Sequence, residues 1–327
     1  MIRSIEKDIT VLIPSRTYDQ NLSYCIKNIR KYYKKICILI VLDKIQKIKK
    51  DKKIKILVSG NKSIGFKRNL GVRNCKTKFI CFIDSDAYPK SKWLDDVHKV
   101  FKKYRKVGII GGPNLSPKTL DIEKKLVSRS RKLSFVTLNT ITKSKKKNEN
   151  VCINFLPSCN MIVRTDLYKR VKGMYENLYS GEEISLNKNI RKLGYKIMFC
   201  PNIFVFHKDR NFKHFARQRF VYGSTGLRIF VKFPCRESFL LLISALPLLF
   251  ILSFPLIFLS KFYFKIYIFG LIFISIVSLI NAFKISFSNY FIKSLKLTLI
   301  SIFMPGVGFL SSLLLKDYII KKLYTQK

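Results

Sequence analysis

Acidic residues are scarce in this chain, which has 19 aspartates and glutamates against 63 lysines and arginines in 327 residues. The formal net charge is +44, so the surface attracts anions such as nucleic acid, anionic lipid or a phosphate-bearing substrate. Abundant Lys, Ile, Asn, Phe and Tyr also fit the biased composition of a genome poor in G and C. With so few carboxylates available, two of them one residue apart point to a functional site.

Metal-binding cysteine patterns and a secretion signal are also missing. The eight cysteines form no Cys-x-x-Cys pair and no cluster with histidine at zinc-binding spacing, and most lie in apolar segments. This pattern is typical of buried free thiols in a reducing compartment. The polar stretch Met1–Asp8 has no signal-peptide core, so we expect the N-terminal part to stay in the cytoplasm. The sequence has no helix-turn-helix, zinc or RNA-recognition signature, so we expect no nucleic-acid partner despite the charge.

Long uncharged runs are confined to the C-terminal part of the chain. Apolar stretches of about 20 residues match the thickness of a bilayer, and prolines are tolerated inside them. We predict a membrane domain over residues 238–316 with three transmembrane helices, at 239–259, 266–283 and 297–315, and a basic tail over 317–327. The middle run is the shortest and is the candidate for a re-entrant segment; a very hydrophobic soluble helical domain is the alternative. Residues 208–237 are basic and aromatic-rich, as in a segment that lies against anionic lipid headgroups.

The chain before this point, residues 1–237, alternates apolar strands with helical segments. Such alternation predicts an α/β fold with a mostly parallel sheet and helices on both faces. Ligands of these sheets bind beyond the carboxyl ends of the strands. Pro14, Asp43 and Asp84 each follow an apolar run at such an end. Three strand tips therefore predict one site at one edge of the sheet.

The tripeptide Asp84-Ser85-Asp86 ends the apolar run Phe79–Ile83. Mg²⁺ and Mn²⁺ prefer carboxylate oxygens, keep several waters and bind substrate phosphates. A strand-end carboxylate pair is therefore suited to holding a metal–diphosphate. Turns also favour aspartate, so the tripeptide alone leaves a plain turn as the alternative.

Further motifs follow in a recognisable order. Val11-Leu12-Ile13-Pro14 is followed by Ser15 and Arg16, then by Asp43, by Gly65-Phe66-Lys67-Arg68-Asn69-Leu70-Gly71, by Asp84-Ser85-Asp86, by Pro157-Ser158-Cys159-Asn160-Met161, by Gly181-Glu182-Glu183-Ile184-Ser185-Leu186, by His207, and by Arg217-Gln218-Arg219-Phe220. In this order they resemble a membrane-bound glycosyltransferase of family 2 with the GT-A fold. The resemblance extends over about Ile9 to Gly223.

The resemblance implies an inverting transferase that uses a nucleotide-sugar, with a UDP-sugar as the first choice, and a lipid-linked or cell-surface glycan acceptor. It implies a divalent metal, Mg²⁺ or Mn²⁺, at Asp86 and Asp84, with His207 as a further ligand or a structural residue. It implies that the donor contacts the following residues: Pro14, Ser15, Arg16, Asp43, Gly65, Arg68, Asn69, Asp84, Arg217, Gln218 and Arg219. The implied enzyme is a multi-pass protein of the cell membrane with a cytoplasmic catalytic domain.

The proton acceptor is the point where the chain departs from the family pattern. A weakly acidic acceptor hydroxyl needs a carboxylate to take its proton. Glu183 stands where the family normally has aspartate, and Glu182 is the alternative base. Because glutamate is one methylene longer than aspartate, the placement of the basic carboxylate relative to the sugar is left open. The same pair also suits a helix N-terminus. A polyprenyl-phosphate sugar transferase, whose phosphate acceptor needs no strong base, is therefore the second candidate.

Overall fold

The computed structural model describes residues 4–46, 51–119, 121–131, 133, 149–178, 180–286 and 289–314. The predicted basic tail, residues 317–327, lies outside the described residues. The chain divides into two compact units. The first comprises Met1–Pro117 and Asn139–Lys208, and the second comprises Lys118–Leu138 and Asp209–Lys327.

The first unit is built on an eight-stranded sheet in the order β3-β2-β1-β4-β9-β6-β10-β8. Six strands run in one direction, whereas β9 and β8 run antiparallel to their neighbours. The strands are β1 Ile9–Pro14, β2 Cys37–Leu42, β3 Ile54–Val58, β4 Phe79–Ile83, β6 Val107–Gly111, β8 Val151–Ile153, β9 Asn160–Arg164 and β10 Lys196–Phe199. The central strands are continuous apolar runs because both faces of the sheet are covered. The prediction of an α/β fold with a mostly parallel sheet is confirmed.

Helices bury both faces of this sheet. They are α1 Ser4–Asp8, α2 Gln20–Tyr32, α3 Ile64–Arg73, α4 Val97–Lys103, α6 Thr165–Arg170 and α7 Glu182–Lys192. The two faces alternate along β1, where Val11 packs with α2 and Leu12 packs with α3, α6 and α7. Gly71 lets α3 lie close to the sheet, because a Cβ there would be 1.8 Å from Leu12 Cδ1.

A second, three-stranded sheet joins distant parts of the same unit. Its order is β5-β11-β7, with strands Ala87–Pro89, Val205–His207 and Asn114–Leu115. The antiparallel register places His207 opposite Ala87, immediately after the Asp84-Ser85-Asp86 turn. This small sheet therefore brings a late histidine to the tip of β4.

The second unit is helical. Its helices are α5 Ile122–Ser130, α8 Phe212–Lys232, α9 Arg236–Ile243, α10 Leu246–Leu252, a 3₁₀ helix Phe254–Phe258, α11 Lys261–Ile285 and α12 Phe291–Leu314. Within the described residues, α11 and α12 are long and apolar enough to cross a membrane. They overlap the second and third predicted spans. The segment predicted as the first span, 239–259, departs from the expected single helix and consists of the two short helices and the 3₁₀ turn.

Proline accounts for part of this break. Pro255 has no N–H to donate to the carbonyl of Ile251. A helix that passed through Pro255 would therefore leave this carbonyl without its helical hydrogen bond. The hydroxyl of Tyr267, on α11, donates to that carbonyl over 3.0 Å. Such repairs are needed where water is scarce, since an unpaired carbonyl is costly in an apolar medium.

Small residues bring α8 and α12 into close contact. A Cβ on Gly223 would be 1.8 Å from the carbonyl oxygen of Pro305, and one on Gly308 would be 1.9 Å from that of Phe220. Interfaces of this kind, where backbones touch, are common between membrane helices.

Candidate active site

The end of β4 carries a cluster of three potential metal ligands. Asp84, Asp86 and His207 each offer an atom within 4.8 Å of the others. His207 Nε2 lies 3.3 Å from Asp86 Oδ1 and 3.6 Å from Asp84 Oδ2. The two aspartates are half-buried and His207 is buried. Two carboxylates and one imidazole form a ligand set that suits Mn²⁺ and, less specifically, Mg²⁺.

The backbone fixes which nitrogen of His207 faces the carboxylates. Its Nδ1 lies 3.0 Å from the carbonyl oxygen of Lys208, which only accepts hydrogen bonds, so Nδ1 is the donor. A neutral imidazole then presents the Nε2 lone pair to Asp84 and Asp86, as a metal ligand requires. The Lys208 N–H in turn donates to the Asp86 carbonyl over 3.2 Å, which ties β11 to the carboxylate turn. The residues present therefore fit a divalent cation.

Arg68 joins this cluster to the acidic pair on α7. Its guanidinium contacts Asp84 Oδ1 at 3.0 Å through Nη2 and Glu182 Oε1 through Nη1. Arg68 and Glu182 are both buried, with 3% and 4% of their surfaces exposed. Burial alone would lower the pKa of Arg68, but the charges of Glu182 and Asp84 outweigh it and raise that pKa. The guanidinium is thus a fixed cation between two carboxylates.

Glu183 is the second member of the acidic pair and lies in the first turn of α7. The helix begins after Gly181, whose φ of 79° is left-handed, a conformation that glycine adopts without strain. Burial and then repulsion from Glu182 raise the pKa of Glu183 to about 8. Burial likewise raises the pKa of Glu182, against the opposing effect of Arg68. A carboxylate with a raised pKa is a stronger base, as proton abstraction requires.

Glycine allows α3 and α7 to approach each other at this point. A Cβ on Gly65 would be 2.8 Å from the Tyr175 carbonyl oxygen and 3.3 Å from Glu182 Cβ. Gly65 therefore acts by leaving space for the Arg68–Glu182 pair. Asn187, one turn into α7, donates to the carbonyls of Leu156 and Glu183 and accepts from Leu156 N–H.

A second group of predicted residues lies at the ends of β1 and β2. The Ser15 N–H donates to the backbone carbonyl of Val41 over 2.9 Å, and the Asp43 N–H donates to the backbone carbonyl of Arg16 over 3.1 Å. These bonds hold the turn after Pro14 against the one that carries Asp43. The side chain of Lys67 contacts both turns.

Asn69, which was predicted to contact the nucleotide-sugar, forms hydrogen bonds with other residues of the protein. Its amide group donates to the carbonyl of Met174 and to Glu176, and accepts from the Tyr168 hydroxyl and the Met174 N–H. Its oxygen also leaves no room for a Cβ at Gly173, 2.3 Å away. Asn69 therefore anchors the loop that leads into α7.

The structure thus assembles most of the predicted residues in the first unit. Two clusters form, one with Asp84, Asp86, His207, Arg68, Glu182 and Glu183, the other with Pro14, Ser15, Arg16 and Asp43. The predicted Arg217, Gln218 and Arg219 lie on α8, in the second unit. There Gln218 donates to the Tyr222 hydroxyl, and the buried Arg219 donates to the Ser301 carbonyl over 3.4 Å. Sequence reasoning gave no role to Lys67 or Asn187, which are polar side chains buried within their helices.

The mostly parallel sheet and the acidic site at its strand ends are those of an α/β fold of the GT-A class. A mannosyltransferase from Pyrobaculum calidifontis, solved in complex with GDP-Man and Mn²⁺, shares this fold with a TM-score of 0.55 at 11% identity, over 93% of this chain and 87% of that one. Residues 10–171 match the family model of glycosyl transferase family 2. Over these residues the chain belongs to this family.

Curated relatives agree with this assignment. The pre-mycofactocin glycosyltransferase of Mycobacterium tuberculosis is 22% identical over 179 residues, which are 52% of this chain and 36% of that protein. The glycosyltransferase AglE of Haloferax volcanii is 21% identical over 164 residues, 50% of each chain. The chain spans half or less of the length of the curated relatives it matches.

Proposed function

We propose that this protein is a metal-assisted, inverting glycosyltransferase that transfers a sugar from a nucleotide-sugar to a lipid-linked or cell-surface glycan. The observation that carries the proposal is the continuous chain of contacts from the Asp84, Asp86 and His207 cluster through Arg68 to Glu182. It joins a site for a metal–diphosphate to a pair of carboxylates with raised pKa values. Both halves of a glycosyl transfer need such groups: one for the leaving group and one for the acceptor.

The leaving diphosphate belongs at the carboxylate–histidine cluster. A divalent cation held by Asp84, Asp86 and His207 would neutralise negative charge that develops on the diphosphate. The nucleoside part of the donor then belongs at the strand-end turns of Pro14, Ser15, Arg16 and Asp43. A UDP-sugar is our first choice, and GDP is the nucleotide in the Pyrobaculum calidifontis complex.

Glu183 is our choice of base. The acceptor oxygen forms a bond to the anomeric carbon as the bond from that carbon to the diphosphate breaks, and Glu183 takes the acceptor's proton. Attack opposite the leaving group inverts the configuration. Glu182 forms an ion pair with Arg68, which neutralises part of its charge, whereas within the described residues Arg68 acts on Glu183 only at longer range. This contrast favours Glu183 over Glu182.

The membrane supplies the setting for the acceptor. We infer a multi-pass protein of the cell membrane with a cytoplasmic catalytic domain, anchored by α11 and α12 and by residues 239–259. The basic segment 208–237 then lies at anionic headgroups. A lipid-linked acceptor reaches an enzyme held there without leaving the bilayer.

The proposal is tested with full-length protein in membranes, screened against UDP-, GDP- and dTDP-sugars with Mn²⁺ by mass spectrometry of the products. With the donor found, Glu183→Gln should retain nucleotide binding while transfer falls by about 100- to 10,000-fold. Glu182→Gln is the comparison. Full activity of Glu183→Gln would contradict the assignment of the base and favour a phosphate acceptor such as polyprenyl phosphate.

A further inference from the structure

A buried lysine links the two strand-end turns assigned to the nucleoside. Lys67, on α3, has 3% of its surface exposed. Its ammonium group donates to the Ser15 carbonyl over 2.6 Å and forms an ion pair with Asp43 Oδ1. Ser15 follows β1 and Asp43 follows β2, so one side chain connects both strand ends. Lysine is rarely buried this far without such partners.

Lys67 and Arg68 divide the site between them. They are consecutive on α3 and equally buried, and successive residues of a helix point in different directions, about 100° apart. Lys67 reaches Ser15 and Asp43, whereas Arg68 reaches Asp84 and Glu182. One helix therefore provides one cation for each cluster of the site.

Lys67 also holds the side chain of Asp43 through their ion pair. Burial lowers the pKa of Lys67, the nearby Arg16 adds to this effect, and Asp43 opposes both. The Asp43 side chain remains 19% exposed while its Oδ1 faces Lys67. Carboxylate oxygens accept hydrogen bonds, so the exposed part of the Asp43 side chain suits an N–H or O–H donor on a ligand.

We propose that Lys67 is a positioning residue for the donor nucleotide: it holds the Ser15 turn and the Asp43 carboxylate in the geometry that binds the nucleoside. This inference rests on the proposed function, in which these turns contact the donor. It assigns Lys67 to binding and Arg68 to the metal and base side. Loss of Lys67 should therefore weaken nucleotide binding more than it slows transfer from a bound donor.

The test measures dissociation constants of UDP and GDP with Mn²⁺ for the full chain in detergent, and KM and kcat for the nucleotide-sugar that it uses. Lys67→Met should raise the nucleotide dissociation constant and KM about 10- to 100-fold and change kcat less than about threefold. Lys55→Met is the matched control, because Lys55 is exposed on β3 and its ammonium group donates to Asn74 at the surface. Lys55→Met should bind as the unmodified protein does.

Two results would overturn the inference: an unchanged dissociation constant in folded Lys67→Met, or a loss confined to kcat. If Lys67→Met does not fold, Lys67→Gln decides the question, because its polar amide is neutral and cannot pair as a cation with Asp43. An unchanged dissociation constant in Lys67→Gln would equally overturn it. Failure of the unmodified protein to turn over any of the UDP-, GDP- and dTDP-sugars would instead overturn the proposed function, and this inference with it.

Discussion

Removing the Arg68 guanidinium should destabilise the first unit strongly. In Arg68→Met, the buried Glu182 loses its partner, and Asp84 loses the contact at 3.0 Å. Breaking a buried ion pair from one side costs about 3–5 kcal/mol, because a charge is left without compensation. Arg73→Met is the matched control on the same helix: Arg73 is 55% exposed and lies 3.5 Å from Glu176. Such an exposed pair contributes about 0–1 kcal/mol.

The loss of stability in Arg68→Met should depend on pH. Without Arg68, the largest effect that opposes burial is lost, so the pKa of Glu182 rises further above its unfolded value. A folded carboxyl with a raised pKa binds more protons than the unfolded one, so stability falls as pH rises above the unfolded pKa. We therefore expect Arg68→Met to be more stable near pH 5 than near pH 8, relative to the unmodified protein.

Trp93 provides the assay. It is the chain's one tryptophan, and it is fully buried in the first unit, where its indole N–H donates to Asn160 over 3.0 Å. Urea unfolding followed by its fluorescence therefore reports the first unit. Two results would contradict this prediction. One is a loss of unfolding free energy in Arg68→Met no larger than that in Arg73→Met, and the other is a stability of Arg68→Met that rises with pH relative to the unmodified protein.

Three further predictions concern Glu183, Gly71 and Tyr267. If Glu183 is the base, kcat/KM should rise as pH increases through the raised pKa of Glu183, about 8, because the base must be unprotonated; a pH–rate profile that stays flat through this range would argue against it. Gly71→Ala should lower the free energy of unfolding by about 1–3 kcal/mol through the clash with Leu12, although alanine favours helix; a gain in stability by Trp93 fluorescence would contradict the packing. Tyr267→Phe removes the donor to Ile251 and should cost about 1–3 kcal/mol in detergent melting, while the same change at the partly exposed Tyr290 should cost less; equal effects would count against the repaired break.

The strands of the central sheet were the most predictable part of the fold. Ile9–Pro14, Cys37–Leu42 and Phe79–Ile83 are short apolar runs between polar segments, a pattern that reflects burial on both faces. Their carboxyl ends therefore indicated where Asp43 and Asp84 would meet the same edge.

The small sheet was beyond sequence reasoning. Its strands have two or three residues, too few for a periodic pattern, and pair across long separations. The position of His207 depends on this pairing, so sequence alone left it between a metal ligand and a structural residue. The burial of Lys67 was equally hidden, because a lysine in an amphipathic helix is ordinarily read as exposed.

The membrane segments show a similar limit. Apolar length correctly indicated Lys261–Ile285 and Phe291–Leu314 as helices able to span a bilayer. The breaks within residues 239–259 depend on local backbone geometry and on Tyr267, which composition does not show.

The central claim is that Asp84, Asp86 and His207 hold the cation used in sugar transfer. The most direct measurement is nucleotide-sugar turnover by Asp86→Ala in membranes over a titration of Mn²⁺ or Mg²⁺, with the exposed Asp166→Ala as the control. We expect Asp86→Ala to lose turnover or to need far more metal, and Asp166→Ala to match the unmodified protein. Turnover and metal dependence unchanged in Asp86→Ala would contradict the account.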